Sequence, residues 1–245
     1  MAQQNHLISS KESSYCQWHK KLLDVEYHQD CIPFTPGWRY DSIHSDEFDS
    51  ININGSKWSI PNEAWHSPNT AVGFVNFREN IRTEDGKLFL SVTANNDSIQ
   101  CYCSWDTIHP YIIPKLLTAR LFSSYKIQYG YFETECYLPK NHNIWPCFWL
   151  YRRNTSVKNY DEVDVFERTS TDNTNHPNII RQNCYSQVDY PDESKITQVL
   201  TFPDSITGKS SVFGVEILPE EVVFYINGHV SSHLRYNESI TLPNI

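Results

Sequence analysis

Short segments in which apolar and polar side chains alternate are the sequence feature that most limits the fold of this chain. A two-residue period places alternate side chains on opposite faces of an extended strand, whereas a helix has a period near 3.6 residues. Residues 87–94 and 129–138 alternate in this way. The β-branched and aromatic run 222–226 ends at Asn227-Gly228, a pair favoured in two-residue hairpin turns. We therefore expect an all-β fold.

The alternation also predicts which side chains share a face. One face of the first segment carries Leu88, Leu90, Val92 and Ala94. In the second segment one face carries Phe132, Cys136 and Leu138, and the other carries Tyr131, Glu133, Glu135 and Tyr137. Only residues 13–27 suggest a helix, and it is short. Without an internal repeat or a linker, the simplest architecture is one sandwich of two antiparallel sheets.

Composition excludes several classes of function. The 20 Lys and Arg against 29 Asp and Glu give a net charge of −9, which disfavours a nucleic-acid partner because phosphates attract cationic side chains. The eight glycines contain no GxG pair, and GxSxG, HExxH and CxxC motifs are all missing. No apolar run reaches the ~18 residues of a membrane-spanning helix. We expect no metal, no cofactor and no membrane insertion, and residues 1–4 do not resemble the start of a signal peptide.

The seven cysteines are an odd number, so at least one thiol is free or pairs with another chain. Cys101 and Cys103 would share one face of a predicted strand. Cys136 and Cys147 flank a turn, and a hairpin would place them opposite each other. Free thiols are the simpler interpretation, because buried free cysteine is common.

The sequence EVDVFE forms the most informative polar cluster. In a regular strand Glu162 and Asp164 share a face, and Glu167 lies on the opposite one. One extra residue, a β-bulge at Val165-Phe166, would return Glu167 to the face of the other two carboxyl groups. The sequence therefore predicts three carboxyl groups on one strand face.

Three carboxyl groups this close cannot all ionise easily, so at least one pKa should be raised. A retaining glycosidase uses such a division, with an ionised nucleophile and a protonated acid ~5–5.5 Å apart. A solvated acidic strand face is the alternative, and the spacing alone does not distinguish the two.

Segments around this cluster resemble glycoside hydrolase family 16, the laminarinase-like endoglycanases of the β-jelly-roll fold. Members carry a YGxFE strand, an LP turn, a WPAFWL strand and an ExDxxE motif in this order. The chain has YGYFE, LP, WPCFWL and EVDVFE at residues 129–133, 138–139, 145–150 and 162–167. Other segments agree in order, namely DEF at 46–48, Lys57-Trp58, Asn80 with DGKL at 85–88, ARL at 119–121, FGVE at 213–216 and FYING at 224–228.

The resemblance implies a reaction and a role for each carboxyl group. Glu162 would be the nucleophile, Glu167 the general acid/base and Asp164 their helper. The reaction would be a two-step retaining hydrolysis inside a β-1,3 or β-1,3/1,4 glucan, or a related marine galactan, with this polysaccharide as the partner.

The resemblance also implies substrate-binding residues. Trp145 and Trp149 match sugar-contacting tryptophans of the family, and Arg120 and Asn80 match polar positions that line the cleft in some members. For the tryptophans the alternative is a place in the core. For Arg120 and Asn80 the alternatives are a surface arginine and a turn asparagine.

Some positions depart from the family pattern. Asp161 stands where members usually have Gly, and Val157 where a Trp often forms the floor of the central subsite. His176 is the nearest candidate for a downstream His that is common in the family. Members also continue with further strands beyond Ile245. A catalytically weak glycan-binding module on the same sandwich is therefore the alternative function, and a metal-binding jelly-roll lectin is a third.

These expectations give the chain a simple organisation. We predict an N-terminal extension at residues 1–38 and a family 16-like catalytic domain at residues 39–245 that is short at its C-terminus. A long polysaccharide cannot cross a membrane, so the protein should be secreted, periplasmic or at the cell surface, and we expect a monomer.

Overall fold

The computed structural model describes the chain in segments, which are residues 38–61, 64–66, 73–75, 78–94, 100–103, 106–112, 116–140, 144–154, 159–168, 178–189, 192–202 and 205–235. The helix predicted at residues 13–27 lies outside them. The chain divides into two compact units. One comprises residues 42–126, and the other comprises residues 1–41 with 127–245.

Short strands build the unit of residues 42–126. Its described strands are β1 Trp58–Ser59, β2 Ala64–His66, β3 Gly73–Val75, β4 Ile81–Glu84, β5 Lys87–Leu90, β6 Thr93–Ala94, β7 Gln100–Cys103, β8 Asp106–Ile112, β9 Leu116–Leu117 and β10 Phe122–Ser123. They pair as β3-β2-β7-β8, β1-β10, β4-β5 and β6-β9. All of these pairs are antiparallel except β2-β7, which is parallel. A 3₁₀ turn at Arg78–Asn80 precedes β4.

The strand predicted over residues 87–94 is interrupted. β5 ends at Leu90 and pairs with β4, whereas β6 begins at Thr93 and pairs with β9. Leu90 and Val92 are 52% and 37% exposed, so the predicted continuous apolar face does not form. The change of pairing partner explains why the alternation failed here. Asp85 and Gly86 join β4 to β5, and both residues have positive φ angles, 50° and 66°, as a type I′ hairpin requires.

Two four-stranded antiparallel sheets build the second unit. Its strands are β11 Gly130–Tyr137, β12 Cys147–Asn154, β13 Asn159–Glu167, β14 Ile179–Asp189, β15 Asp192–Thr201, β16 Ser210–Ile217, β17 Glu221–Ile226 and β18 His229–Arg235. The order β12-β13-β14-β15 forms one sheet, called here the carboxylate sheet because β13 carries EVDVFE. The order β11-β16-β17-β18 forms the second, called the cover sheet.

The two sheets of this unit pack face to face around one apolar core. Val163 and Val165 of the carboxylate sheet and Phe213 of the cover sheet are fully buried. Phe166 crosses the gap and contacts Phe213, with ring centroids 4.4 Å apart. Complete burial of such a side chain stabilises the folded state by about 1.5–3 kcal/mol relative to leaving it exposed. The predicted all-β sandwich of two antiparallel sheets is confirmed.

The other face of the cover sheet is also partly covered. Trp38, the last residue of the predicted extension, packs there against Tyr131 and Tyr225 and is only 5% exposed. Its indole N–H donates to the buried Glu216 carboxylate, which also accepts from the hydroxyl of Tyr225 at 3.0 Å. This contact explains why Tyr131 is buried although it lies on the polar face of the predicted 129–138 strand.

The hairpin at Asn227-Gly228 is confirmed. The two residues join β17 to β18 directly and have φ angles of 50° and 78°. The side-chain oxygen of Asn227 accepts from the backbone N–H of Val212 at 2.8 Å, which ties the turn to the neighbouring strand. Asn-Gly therefore sets the pairing at the start of the β17–β18 hairpin, and this register shifts between Tyr225 and Phe224.

The hairpin interpretation of Cys136 and Cys147 is wrong. Cys136 lies on β11 in the cover sheet, and Cys147 lies on β12 in the carboxylate sheet. Neither of them forms a disulfide bond, and nor does Cys184. Cys101 and Cys103 lie on β7, which confirms their strand.

Candidate active site

A β-bulge in β13 places the three carboxyl groups. Phe166 pairs with Phe148 of β12, but the next pair is Asp164 with Trp149, so β13 uses one extra residue. On the other side of β13, Asp164 pairs with Asn183 of β14, and Glu167 pairs with Arg181. Three steps along β13 therefore correspond to only two steps along β14. The bulge predicted at Val165-Phe166 is confirmed.

The bulge separates apolar and acidic side chains onto opposite faces. Val165 and Phe166 point into the sandwich core, whereas Asp164 and Glu167 meet on the other face of the carboxylate sheet. The side-chain amide of Gln182 donates to the backbone carbonyl of Val165 at 3.2 Å. This bond satisfies a carbonyl at the irregular point of the ladder, where regular strand pairing is interrupted.

Asn183 joins two of the three carboxyl groups. Its side-chain Nδ2 donates to Oδ2 of Asp164 at 2.8 Å and to Oε2 of Glu167 at 2.9 Å. Asn183 is 2% exposed and Asp164 is 4% exposed. The predicted clustering of Asp164 and Glu167 is therefore realised through an amide that the sequence motif does not contain.

Asp164 has a strongly perturbed pKa. Burial raises it most, the negative charges of Glu162 and Glu167 raise it further, and the Asn183 hydrogen bond lowers it in part, to a final value of about 8. A hydrogen bond between the Asp164 and Glu162 carboxyl groups adds to the increase. The expectation that one carboxyl of the cluster has a raised pKa is confirmed, and that carboxyl is the central Asp164.

Glu162 and Glu167 are more accessible than Asp164. Both are half-buried, at opposite ends of the EVDVFE segment. Glu162 pairs with Tyr151 of β12 and Tyr185 of β14. The two glutamates therefore lie on either side of a buried aspartic acid, on a face that solvent reaches.

Two predicted tryptophans border this face. Trp145, 40% exposed, donates its indole N–H to Oε1 of Glu167 at 2.8 Å. Trp149 pairs with Asp164 and lies 5.2 Å from the ring of Tyr151, which is 40% exposed. Aromatic rings thus line the edge of the carboxyl cluster, and sugar binding by Trp145 and Trp149 stays a prediction.

The remaining predicted binding residues belong to the unit of residues 42–126. Asn80 is 4% exposed, donates to the carbonyl of Leu117 at 2.9 Å and accepts from the hydroxyl of Thr93 at 3.1 Å. These contacts favour a structural role for Asn80. Arg120 is half-buried, with its guanidinium 4.7 Å from the ring centre of Phe122. A substrate contact by either residue stays a prediction.

Asp161, the residue where the family usually has glycine, does not add its charge to the cluster face. It alternates with Glu162 and is buried on the side of Val163. Its carboxylate accepts from Nη2 of Arg152 at 2.5 Å. The pairing compensates its charge. Val157 and His176 lie outside the described residues.

Sequence reasoning missed Asn183. The bond from Asn183 depends on the register between β13 and β14, and the segment between these strands gives no local pattern that fixes it. The one available indication is that Gln182 and Asn183 are consecutive polar residues of β14, so their side chains point to opposite faces and one of them must face the sandwich core.

The described residues contain no group of three or more His, Cys, Asp or Glu side chains arranged to hold a metal ion. They also contain no helix long and apolar enough to cross a membrane.

Solved structures share this fold. The κ-carrageenase zobellia_236 from Zobellia galactanivorans has a TM-score of 0.65 at 21% identity, covering 85% of this chain and 78% of that one. Porphyranase B from the same organism has a TM-score of 0.62 at 20% identity, covering 78% and 73%. At these identities the likeness shows the fold.

Sequence comparisons identify the family as well as the fold. A glucan endo-1,3-β-glucosidase from Cryptopygus antarcticus is 26% identical over 129 residues, which are 50% of this chain and 43% of the relative. The chain thus matches less than half the length of that protein. The family model described as glycosyl hydrolases family 16 matches residues 74–244, well over half of the chain. The chain therefore belongs to glycosyl hydrolase family 16.

Proposed function

We propose that this protein is an endo-acting, retaining β-glycan hydrolase in which Glu162 is the nucleophile and Glu167 the general acid/base. One observation carries the assignment. The β-bulge at Val165-Phe166 brings Glu167 onto the face of Asp164, where one buried amide bonds both carboxyl groups. Two half-buried glutamates beside a buried acid of raised pKa suit double displacement.

The chemistry follows from the two glutamates. In the first step Glu167 gives its proton to the glycosidic oxygen, and the carboxylate of Glu162 bonds to the anomeric carbon as the carbon–oxygen bond to the leaving sugar breaks. In the second step Glu167 takes a proton from water, whose oxygen displaces Glu162 from the anomeric carbon. Both residues return to their starting states, and the product keeps the β configuration.

The raised pKa of Asp164 fits a helper role. With a pKa of about 8, Asp164 is largely protonated at neutral pH and donates its proton in the hydrogen bond to Glu162. A neutral acid next to the nucleophile stabilises the ionised form of Glu162 without placing a second charge beside it. Asp164 therefore supports the charge state that nucleophilic attack requires.

The substrate we propose is a β-1,3 or β-1,3/1,4 glucan, or a related galactan. The similar proteins named above are a glucan endo-1,3-β-glucosidase, a porphyranase and a κ-carrageenase, which span this range. Trp145, Trp149 and the neighbouring Tyr151 offer flat apolar surfaces for the C–H faces of sugar rings. We further propose that the protein is exported, because its polymeric substrate does not cross membranes, and that it acts as a monomer.

Release of reducing ends tests this proposal. The protein is incubated with laminarin, lichenan, agarose, porphyran and κ-carrageenan, and the products are sized. We expect oligosaccharides from one of these polymers. Glu162→Gln, which is nearly isosteric, should abolish the release, whereas Glu135→Gln, which removes an exposed carboxylate of β11, should retain it.

Two outcomes would contradict the proposal. Equal release by Glu162→Gln would remove the assigned nucleophile. No release from any polymer by a folded protein would favour the glycan-binding module, and retarded migration in gels containing the same polymers would then identify its ligand.

A further inference from the structure

We propose that Asn183 is a positioning residue that fixes which oxygen of Asp164 and which oxygen of Glu167 carries a proton. The inference rests on the proposed function only in assigning proton transfer to Glu167. It adds a residue of β14 to a site whose sequence motif lies entirely on β13.

The first observation is that one nitrogen serves two carboxyl groups. The two hydrogens of Nδ2 point to Oδ2 of Asp164 and Oε2 of Glu167, at 2.8 and 2.9 Å. These carboxyl groups lie on either side of the bulge, so the amide spans the irregular point of β13. Hydrogen bonds to ionised groups are among the stronger ones, so the bond from Asn183 to Glu167 strengthens when Glu167 loses its proton.

The second observation is the state of the other amide atom. Oδ1 of Asn183 is buried and accepts no hydrogen bond from the described residues. A buried acceptor without a donor is costly. The opposite orientation of the amide would turn Oδ1 towards the two carboxyl oxygens and take both N–H groups of Asn183 away from the two acceptors that they have here. The two carboxyl groups therefore determine the orientation of the amide.

These bonds locate the protons. Because Oδ2 of Asp164 accepts from Asn183, the proton of the neutral acid sits on Oδ1, where it is available to Glu162. Oε2 of Glu167 also accepts from the buried Asn183, so the transferable proton belongs on Oε1. Oε1 accepts from the indole N–H of the 40% exposed Trp145 at 2.8 Å with one lone pair, and its second lone pair carries the proton on the side that a substrate can reach.

Other titratable groups border the pair and must be held constant in any test. They come from β13, from β12 and from β14, and they are Glu162, Cys147, Tyr151, Arg181, Cys184 and Tyr185. None of them is changed in the variants below, so a shift between variant and wild type reports the loss of the Asn183 amide.

The test variant is Asn183→Leu, which keeps a similar shape and removes both donors. Loss of a hydrogen bond to a charged group should lower kcat by about 10- to 100-fold, with a smaller change in KM. The basic limb of the pH profile of kcat/KM should move up by about one pH unit, because Glu167 loses a donor that favours its ionised form. Asn183→Ala should give the same shift.

Asn178→Leu is the matched control. Asn178 precedes β14, and its amide donates to the backbone carbonyl of Phe202 at 2.6 Å, away from the carboxyl groups. This variant should lose stability but keep the pH profile of the wild type. If Asn183 had only a structural role, Asn183→Leu would likewise lose stability and keep the pH profile of the wild type.

Carboxyl titration by ¹³C NMR separates this inference from the hydrolase proposal. In the wild type one carboxyl should titrate near pH 8, and Asp164→Asn should remove that titration. The side-chain ¹⁵N chemical shift of Asn183 should follow the titrations of both Asp164 and Glu167. This measurement is made on the wild type, so it does not depend on the folding of a variant. Unshifted titrations in Asn183→Leu and Asn183→Ala, or an Asn183 amide that senses neither carboxyl, would overturn the inference. Shifted titrations without hydrolysis would overturn the hydrolase proposal alone.

Discussion

Replacing Asp164 by asparagine should make the fold more stable, and more so as the pH rises. The native pKa of Asp164 is about 8 against an ordinary value of 3.8, so the folded state keeps a proton that the unfolded chain releases between about pH 4 and pH 8. Over that window the wild type loses stability as the pH rises, because the unfolded state binds fewer protons. The asparagine side chain does not titrate, so the variant does not lose stability in this way as the pH rises.

The size of the effect follows from the pKa difference. Each unit corresponds to about 1.4 kcal/mol, so the gain of Asp164→Asn over the wild type should grow by up to that amount per pH unit. Four units set an upper limit of about 6 kcal/mol, and sharing of the proton with Glu162 reduces it. The new amide can still accept from Asn183 and donate to Glu162, so the packing is retained.

Urea unfolding of both proteins at intervals from pH 5 to pH 9 measures this difference. Asp161→Asn is the matched control, since it removes a buried carboxylate that already pairs with the half-exposed Arg152, and it should lower stability by about 1–3 kcal/mol without a growing gain as the pH rises. A gain from Asp164→Asn that does not change with pH would refute the reasoning. So would a variant less stable than the wild type at pH 8.

Three further predictions concern the sandwich that carries the site. Phe213→Ala should lower the free energy of unfolding by about 3–5 kcal/mol in urea titrations, because Phe213 is fully buried against the bulged strand. Gly214→Ala should cost about 1–3 kcal/mol by the same assay, since an added Cβ would collide with the hydroxyl of Tyr131. In the native protein the exposed Cys147 should react with a thiol reagent, whereas the buried Cys184, whose pKa burial raises, should react only after unfolding. Peptide mapping by mass spectrometry distinguishes these thiols, and labelling of Cys184 before Cys147 would contradict the assigned burial.

The fold was predictable where local chemistry decides it. Asn227-Gly228 and Asp85-Gly86 determine their hairpins through positive φ angles that few residues adopt. The alternation of residues 129–138 correctly predicted β11, because that strand keeps one partner along its whole length. The prediction of one continuous strand at residues 87–94 was wrong because the chain changes its pairing partner after Leu90, and the alternation of side chains contains no information on pairing partners.

The acidic residues of the candidate site could be predicted from the sequence, but the side chains that hydrogen-bond to them could not. The three carboxyl groups of EVDVFE share one face only with a bulge, so the bulge could be predicted once the three acids were taken as one cluster. Asn183 depends on which strand pairs with β13 and in which register, a non-local property. The same limit applied to Asp161, whose compensation by Arg152 arises from pairing between β12 and β13.

The anomeric configuration of the first product tests the central claim most directly. A short reaction with the polymer that the protein cleaves, followed by ¹H NMR before the sugar equilibrates, distinguishes the two anomers. If Glu162 forms a glycosyl-enzyme that water then releases, the β anomer appears first. An initial α anomer would show a single displacement by water and would contradict the role of Glu162 as nucleophile.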